Sequence, residues 1–275
     1  MTISAFLPVF NEEKRIADAL TSLMWCDEII LVDKSSTDNT VEIALSFGAK
    51  VRVYSMNNSE AYDSSEWNLF LDKCNTDWTI LFTASDVIHP NLANDILKKI
   101  RQKEVEFDII NIPFKRYVLG LDSKRSPWFS KLSPKIIRKS SIIIKNDGVH
   151  NAAQFVGKQL NLPYSDIYCM YHLTHESVDI MMDRHIRYWR AEATAKDASM
   201  SNSLWIVFKS FFKLTMIKKT PLLGYDGIAL LFSFLSYQMM SYVYQWEKKR
   251  GNASGNYHII KEKINLAWRK NNRSI

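Results

Sequence analysis

Two apolar runs near the N-terminus, each ending in acidic or amide groups, constrain this chain more than any other feature. Ile3–Phe10 is almost wholly apolar and leads straight into Asn11-Glu12-Glu13. After a helical stretch, Glu28–Val32 repeats the pattern and stops at Asp33, which opens onto the polar turn Lys34-Ser35-Ser36-Thr37-Asp38-Asn39-Thr40. Near-continuous apolar runs of this length fit strands covered by helices on both faces, as in a parallel sheet. Two parallel strands joined by a helix bring their ends together at the carboxyl edge, where open α/β sheets bind ligands. At such an edge an Asp accepts hydrogen bonds from a base, and a Glu or Asn holds ribose hydroxyls. Ser and Thr at a helix entrance cap the helix or donate to a phosphate. The same residue types also serve as plain turn and cap residues.

Length and charge set the organisation. The chain has 275 residues and 47% hydrophobic content, enough for one large domain with an appendage. Cys26, Cys74 and Cys169 lie far apart without metal-ligand spacing, and are expected to be reduced, buried thiols of a cytoplasmic protein. No basic segment precedes the first apolar run, so no signal peptide is expected. Residues 201–275 hold 12 Lys/Arg against 3 Asp/Glu, whereas residues 1–200 hold 24 against 26. The expected division is a nearly neutral domain over residues 1–198 and a basic, aromatic-rich helical tail over 199–275.

The tail carries Ser203–Leu214, rich in Trp and Phe, and an uncharged run from Ile228 to Trp246 closed by Glu247-Lys248-Lys249-Arg250. That run is about long enough to span a bilayer, but Ser233, Ser236, Tyr237, Gln238, Ser241, Tyr242, Tyr244 and Gln245 make it a poor spanning helix. They suit a helix lying in the interface, with flanking lysines on anionic lipid. A soluble helical hairpin packed on the main domain, or a homo-oligomer contact, is the alternative. Nucleic acid is not an expected partner, because no recognised motif accompanies the charge.

The N-terminal segments resemble family 2 glycosyltransferases, whose usual pattern is P-x-x-N-E followed by V-D-D-G-S-x-D-x-T. Later segments extend the resemblance over nearly the whole chain. Pro134–Lys139, Gly148-Val149-His150-Asn151 and His172-Leu173-Thr174-His175-Glu176-Ser177 follow the lipopolysaccharide-core β-glucosyltransferase-like branch. Its pattern runs R-x-x-R-K, V-H-E and H-x-T-Y-x-S before an aromatic, basic helix. The resemblance implies an α/β fold of the GT-A type, a Rossmann-like, mixed and mostly parallel sheet flanked by helices. It also implies a pocket for a nucleotide-diphosphate sugar framed by Pro8, Asn11, Glu12, Asp33, Ser36, Asp38 and Asn68.

The family pattern breaks in two places. The strand Asp77–Phe82 should end in a D-x-D pair that binds the sugar nucleotide and a bridging Mg²⁺ or Mn²⁺. Aligned without a gap on Ala84 and Pro90, Thr83 and Ser85 stand where those aspartates would be, and Asp86 falls on the next acidic position. Asp86 is therefore the expected ligand of metal or donor sugar, or else only an N-cap or turn residue. Trp67 replaces the usual basic residue before Asn68. The second break is Asn151, where the branch has Glu. An amide cannot take the proton of an attacking hydroxyl, which leaves His150 or Asp147 as the general base. Arg184, His185, Arg187, Tyr188 and Arg190 put positive charge on one helix, either for an anionic ligand or as a solvated face.

The implied activity is inverting transfer of a sugar from a nucleotide-diphosphate donor to a lipid-linked or cell-envelope glycan such as lipopolysaccharide or capsule. The implied location is the cytoplasmic face of the cell membrane, with peripheral attachment. A catalytically degenerate nucleotide-sugar-binding or scaffold protein is the alternative function, since both motifs are altered in one chain.

Overall fold

The computed structural model describes residues 1–56, 64–144, 153–194, 200–251 and 253–271. Strand β1 (Ile3–Val9) is followed by α1 (Ile16–Leu23), β2 (Glu28–Asp33), α2 (Thr40–Ser46) and β3 (Val51–Ser55). Then come α3 (Ser64–Lys73), β4 (Trp78–Leu81), β5 (Asp86–Ile88) and α4 (Pro90–Ile100). The chain continues through β6 (Ile109–Val118), β7 (Leu132–Arg138), β8 (Ile142–Ile144), β9 (Ala153–Phe155), β10 (Gln159–Asn161) and β11 (Met170–Thr174). Four helices follow: α5 (Val178–Thr194), α6 (Met200–Phe212), α7 (Tyr225–Arg250) and α8 (Ser254–Asn271).

The main sheet runs β3-β2-β1-β4-β7-β6-β11-β5, with β10 added to β6, and β8 pairs separately with β9. Neighbours from β3 to β4 are parallel, β7 is antiparallel to both β4 and β6, and β11 runs parallel to β6. This is the mixed, mostly parallel GT-A-type sheet flanked by helices. Its register puts Val9 opposite Asp33 and Phe6 opposite Leu81, so β1, β2 and β4 end at one edge.

Each strand of that edge is apolar on both sides for a reason. Ile3, Ala5 and Leu7 of β1 face the larger core, which includes Ile16, Ala19, Leu20 and Leu23 of α1. Those four recur at helical spacing, so α1 lays one stripe on the sheet. Phe6, between them, faces the opposite side with Ile30, Val32, Phe70 and Cys74. Helix α4 starts at Pro90, whose missing N–H costs nothing in a first turn. Its cap is His89, which accepts from the Asn91 N–H at 3.1 Å. Asp86 therefore does not cap this helix. All three cysteines are buried and free of disulfides, and burial pushes the Cys26 thiol far up.

The tail docks on the body through α7. Trp189 of α5 donates its indole N–H to the Tyr237 carbonyl at 2.9 Å, and Glu192 accepts from Tyr237 at 2.5 Å and Ser241 at 2.8 Å. Thr220 donates to the Arg125 carbonyl at 2.7 Å, and Trp128 meets Phe234 edge-on at 5.3 Å. Two of the polar residues expected in a lipid interface thus serve a protein partner. Among the described residues no helix is long and apolar enough to cross a membrane. Exposed apolar side chains gather instead on α6 (Leu204, Trp205, Phe208, Phe211, Phe212), at Met216 and Ile217, and along α8.

Gly227 lies where α7 crosses the turn at Thr220–Leu223, and a Cβ there falls 2.1 Å from the Thr220 carbonyl oxygen. Backbone cannot step aside as a side chain can. Gly227→Ala is expected to cost about 1–3 kcal/mol through overpacking, seen as a lower urea midpoint at unchanged slope. An unchanged midpoint would mean that this crossing does not hold the tail.

Candidate active site at the carboxyl edge of the sheet

The loops after β1 and β2 are stitched together by side chain to backbone hydrogen bonds. Asn11 N–H donates to Ser36 Oγ at 2.9 Å, and Thr37 N–H donates to Asn11 Oδ1 at 2.8 Å. Glu12 N–H donates to Thr40 Oγ1 at 2.7 Å and Glu13 N–H to Asp38 Oδ2 at 3.1 Å. Asn11 and Ser35 hold left-handed backbone, at φ 53° and 65°. Such positions are uncommon without glycine, though Asn tolerates them, and the stitching offsets their cost. Burial alone would raise the Asp38 carboxyl. Hydrogen bonds from the Thr40 hydroxyl and N–H and from Glu13 outweigh that and hold it low. Asn11, Ser36 and Asp38 therefore lie together, and each spends polar atoms on the loops themselves.

Pro8 lines the cleft at the end of β1. Asp33 is nearly inaccessible, and its carboxylate accepts from Ser36 N–H at 3.1 and 3.3 Å, fixing the turn that follows. Next to it Lys34, where the family pattern has a second Asp, pairs with Glu66 of α3 at 2.7 Å, both residues buried. Trp67 packs on Phe6 at 4.6 Å and on Phe155 at 5.9 Å, which pins α3 to the sheet in place of a basic contact. Asn68 is exposed on α3 and lines neither cleft described below.

Asp86 has no solvent-accessible surface. Its Oδ2 accepts from Thr83 N–H at 2.8 Å and the Thr83 hydroxyl at 3.1 Å, with Lys135 Nζ at 3.4 Å. Its Oδ1 lies 2.7 Å from His172 Nδ1. Burial pushes the carboxyl up, but Lys135, His172 and the Thr83 N–H together hold it well below the usual carboxylate range. Burial lowers His172, against the pull of Asp86. Beside an ionised Asp86 the imidazole donates through Nδ1, and the ring lines the inner cleft.

Two adjoining clefts open over these strand ends. An outer one of about 410 Å³ is lined by Phe10, Asn11, Glu12, Arg15, Arg184 and Arg187 among others. An inner one of about 130 Å³ is lined by Pro8, Lys34, Thr83, Ser85, His172 and Tyr188, and again by Arg184 and Arg187. Helix α5 supplies these arginines, so they are not a solvated face. Glu12 lies between Arg15, which contacts its Oε2, and Arg184, 3.6 Å from its Oε1. Burial raises the Glu12 carboxyl, with Arg15 opposing. His185, by contrast, is buried against Trp189 and Tyr237, and burial pulls it down to about 4.

The donor set does not fit a divalent cation. Hard cations need several open oxygen ligands, yet the Asp86 oxygens are inaccessible and committed. Among the described residues no group of three or more His, Cys, Asp or Glu side chains could hold a metal. His150 and Asp147, the expected bases, lie outside the described residues.

Asp86 instead anchors Lys135 and His172. Asp86→Asn leaves Lys135 uncompensated and is expected to cost about 3–5 kcal/mol of stability in urea unfolding. The depressed carboxyl means this contribution is present above an unfolded pKa of about 3.9. It is lost as pH falls towards the folded value, so the gap between the two proteins should narrow in acid. An equal gap at every pH would remove the charge from this account.

The model for the family described as glycosyl transferase family 2 matches residues 4–157, more than half of the chain. An uncharacterized glycosyltransferase of Rickettsia typhi is 26% identical over 279 residues, covering 93% of this chain and 91% of its own. Another, from Rickettsia felis, is 25% identical over 293 residues, covering 99% and 98%. The crystal structure of S. aureus TarS 1-349 in complex with UDP-GlcNAc is 16% identical, with a TM-score of 0.47 over 92% of this chain and 93% of that one. On the strength of the family match over more than half of its length, this chain belongs to glycosyl transferase family 2 and is a glycosyltransferase.

Proposed function

We propose that the chain transfers a sugar, with inversion, from a nucleotide-diphosphate donor to a lipid-linked or cell-envelope glycan such as lipopolysaccharide or capsule. The observation that carries this reading is the pair of clefts over the ends of β1, β2 and β4, roofed by the arginines of α5. Beside these clefts Asp33, nearly buried but with lone pairs left after Ser36 N–H, reads the base edge, Glu12 and the loop at Asn11–Asp38 frame the nucleotide, and the diphosphate points towards Ser85. Asn68 approaches only from α3. The acceptor hydroxyl attacks the anomeric carbon as the bond to the diphosphate breaks, and its proton passes to a base, His150 or Asp147. Among the described residues His172 is a further candidate, with Nδ1 fixed by Asp86 and its ring lining the inner cleft.

The tail supports this acceptor class. A face with exposed Trp205, Phe208 and Phe212, interleaved with Lys209 and Lys213, has the make-up of an interfacial helix that meets anionic lipid. Attachment there puts the cleft beside a lipid-linked glycan on the cytoplasmic face of the membrane. The alternative occupant of this face is a second copy of the chain.

Two measurements test this reading. Asp33→Asn keeps an acceptor for Ser36 N–H and removes the charge. It should weaken binding of the cognate nucleoside diphosphate in calorimetry by about 1–3 kcal/mol, and unchanged affinity would reduce Asp33 to a turn residue. For the tail, full-length protein should sediment with phosphatidylglycerol-containing vesicles. Replacing Trp205 and Phe208 by Ser should release it at least about tenfold, since each large side chain contributes roughly 1.5–3 kcal/mol on full burial. A concentration-dependent dimer that ignores vesicles would assign the face to a second copy.

A further inference from the structure

At the spot where the family resemblance calls for a metal-binding aspartate, this chain carries a hydroxyl held by guanidinium groups. Ser85 is almost fully buried, and its Oγ accepts from Arg15 Nη1 at 2.8 Å and lies 3.5 Å from Arg184 Nη1. The same two arginines share one carboxylate, Glu12. Arg15 also has Glu176 at 3.9 Å, on the exposed rim, and Arg184 donates to Thr174 Oγ1 at 2.8 Å. Arg187 lies over the Phe10 ring at 5.4 Å, beside both clefts, and has no carboxylate in ion-pair contact among the described residues. Lys34 reaches the inner cleft too, with its charge matched by Glu66.

The inner cleft therefore has cations on its wall in excess of its carboxylates. Behind Thr83 and His172 of its lining, Asp86 is already matched by Lys135, and burial lowers the Arg116 guanidinium against the pull of Asp86. A partly water-excluded cleft of this sign attracts an anion. Guanidinium forks match phosphate oxygens in pairs, a geometry that an ammonium lacks.

We propose that Arg184, Arg187 and Arg15, gathered over Ser85, hold the donor's diphosphate without a divalent cation. This rests on the nucleotide-diphosphate reading above and adds to it how the leaving group is neutralised. As the acceptor oxygen bonds to the anomeric carbon, the electron pair of the breaking carbon–oxygen bond passes to the terminal diphosphate oxygen. The acceptor proton goes to the base. The charge gained by the diphosphate is met by the guanidinium groups, and Glu12 holds two of them in place before the donor arrives.

The test is calorimetry on the full chain with UDP, GDP, CDP and dTDP, each in EDTA and in Mn²⁺, alongside the matching nucleosides. At least one diphosphate should bind in EDTA within about threefold of its affinity in Mn²⁺. Arg184→Gln and Arg187→Gln should each weaken that diphosphate about tenfold or more, with the nucleoside changed less than threefold. Arg187 is half-exposed and carries little of the fold, and Arg184→Lys should recover part of the loss while keeping the charge. Binding only with Mn²⁺ would overturn the metal-free cradle and leave the donor reading standing. Failure of all four diphosphates in both buffers would overturn both. Equal losses for nucleoside and diphosphate would reduce the arginines to structural parts and overturn the cradle.

Discussion

Asp86 carries a charge with no access to water, and the geometry of the site depends on how that charge is satisfied. Isolated burial of a carboxylate is prohibitive. Here the Thr83 turn after β4, Lys135 on β7 and His172 on β11 converge on it from three parts of the sheet. Those strands are not sequential, and β7 and β11 are separated by β6. One carboxylate thus sets the bend from β4 into β5 and presents Ser85, the preceding residue, to the cleft. The imidazole it holds is oriented at the same time.

The other support is the stitching between the loops that follow β1 and β2. Backbone N–H groups of one loop are taken by side chains of the other. A loop that satisfies its own polar groups this way stays open in shape without a ligand, and two left-handed residues can be maintained at its bends. The cost of ordering is met at folding, so less remains to be met when a nucleotide arrives.

Much of this edge was legible in the sequence because it is local. Apolar runs with acidic ends predict parallel strands, and a single crossover places Asn11 near Asp33 and Asp38. The limits are equally physical. Arg184 and Arg187 reach the cleft from a helix about a hundred positions beyond Ser85, and no spacing rule reports that. Tyr237 and Ser241 look like headgroup contacts until Glu192 is found opposite them. Asp86 fits the pattern of a ligand or a cap, and only its three-dimensional partners show a closed set of hydrogen bonds. Trp67 is a loss of a basic contact when matched to a motif, and a packing residue once Phe6 and Phe155 are beside it.

Helix α5 has two employments on opposite sides. Arg184 and Arg187 face the cleft, while His185, Trp189 and Glu192 receive α7. Successive residues of a helix are separated by about 100° of rotation, so the azimuth of the arginines is set by the contacts on the far side. Tyr237, through its ring and its hydroxyl, acts as the dowel that stops α5 from turning about its axis. Shortening the chain after α5 would therefore not trim a peripheral attachment. It would leave the roof of the cleft held from one side alone, its charges aimed only by Glu12, Thr174 and Phe10.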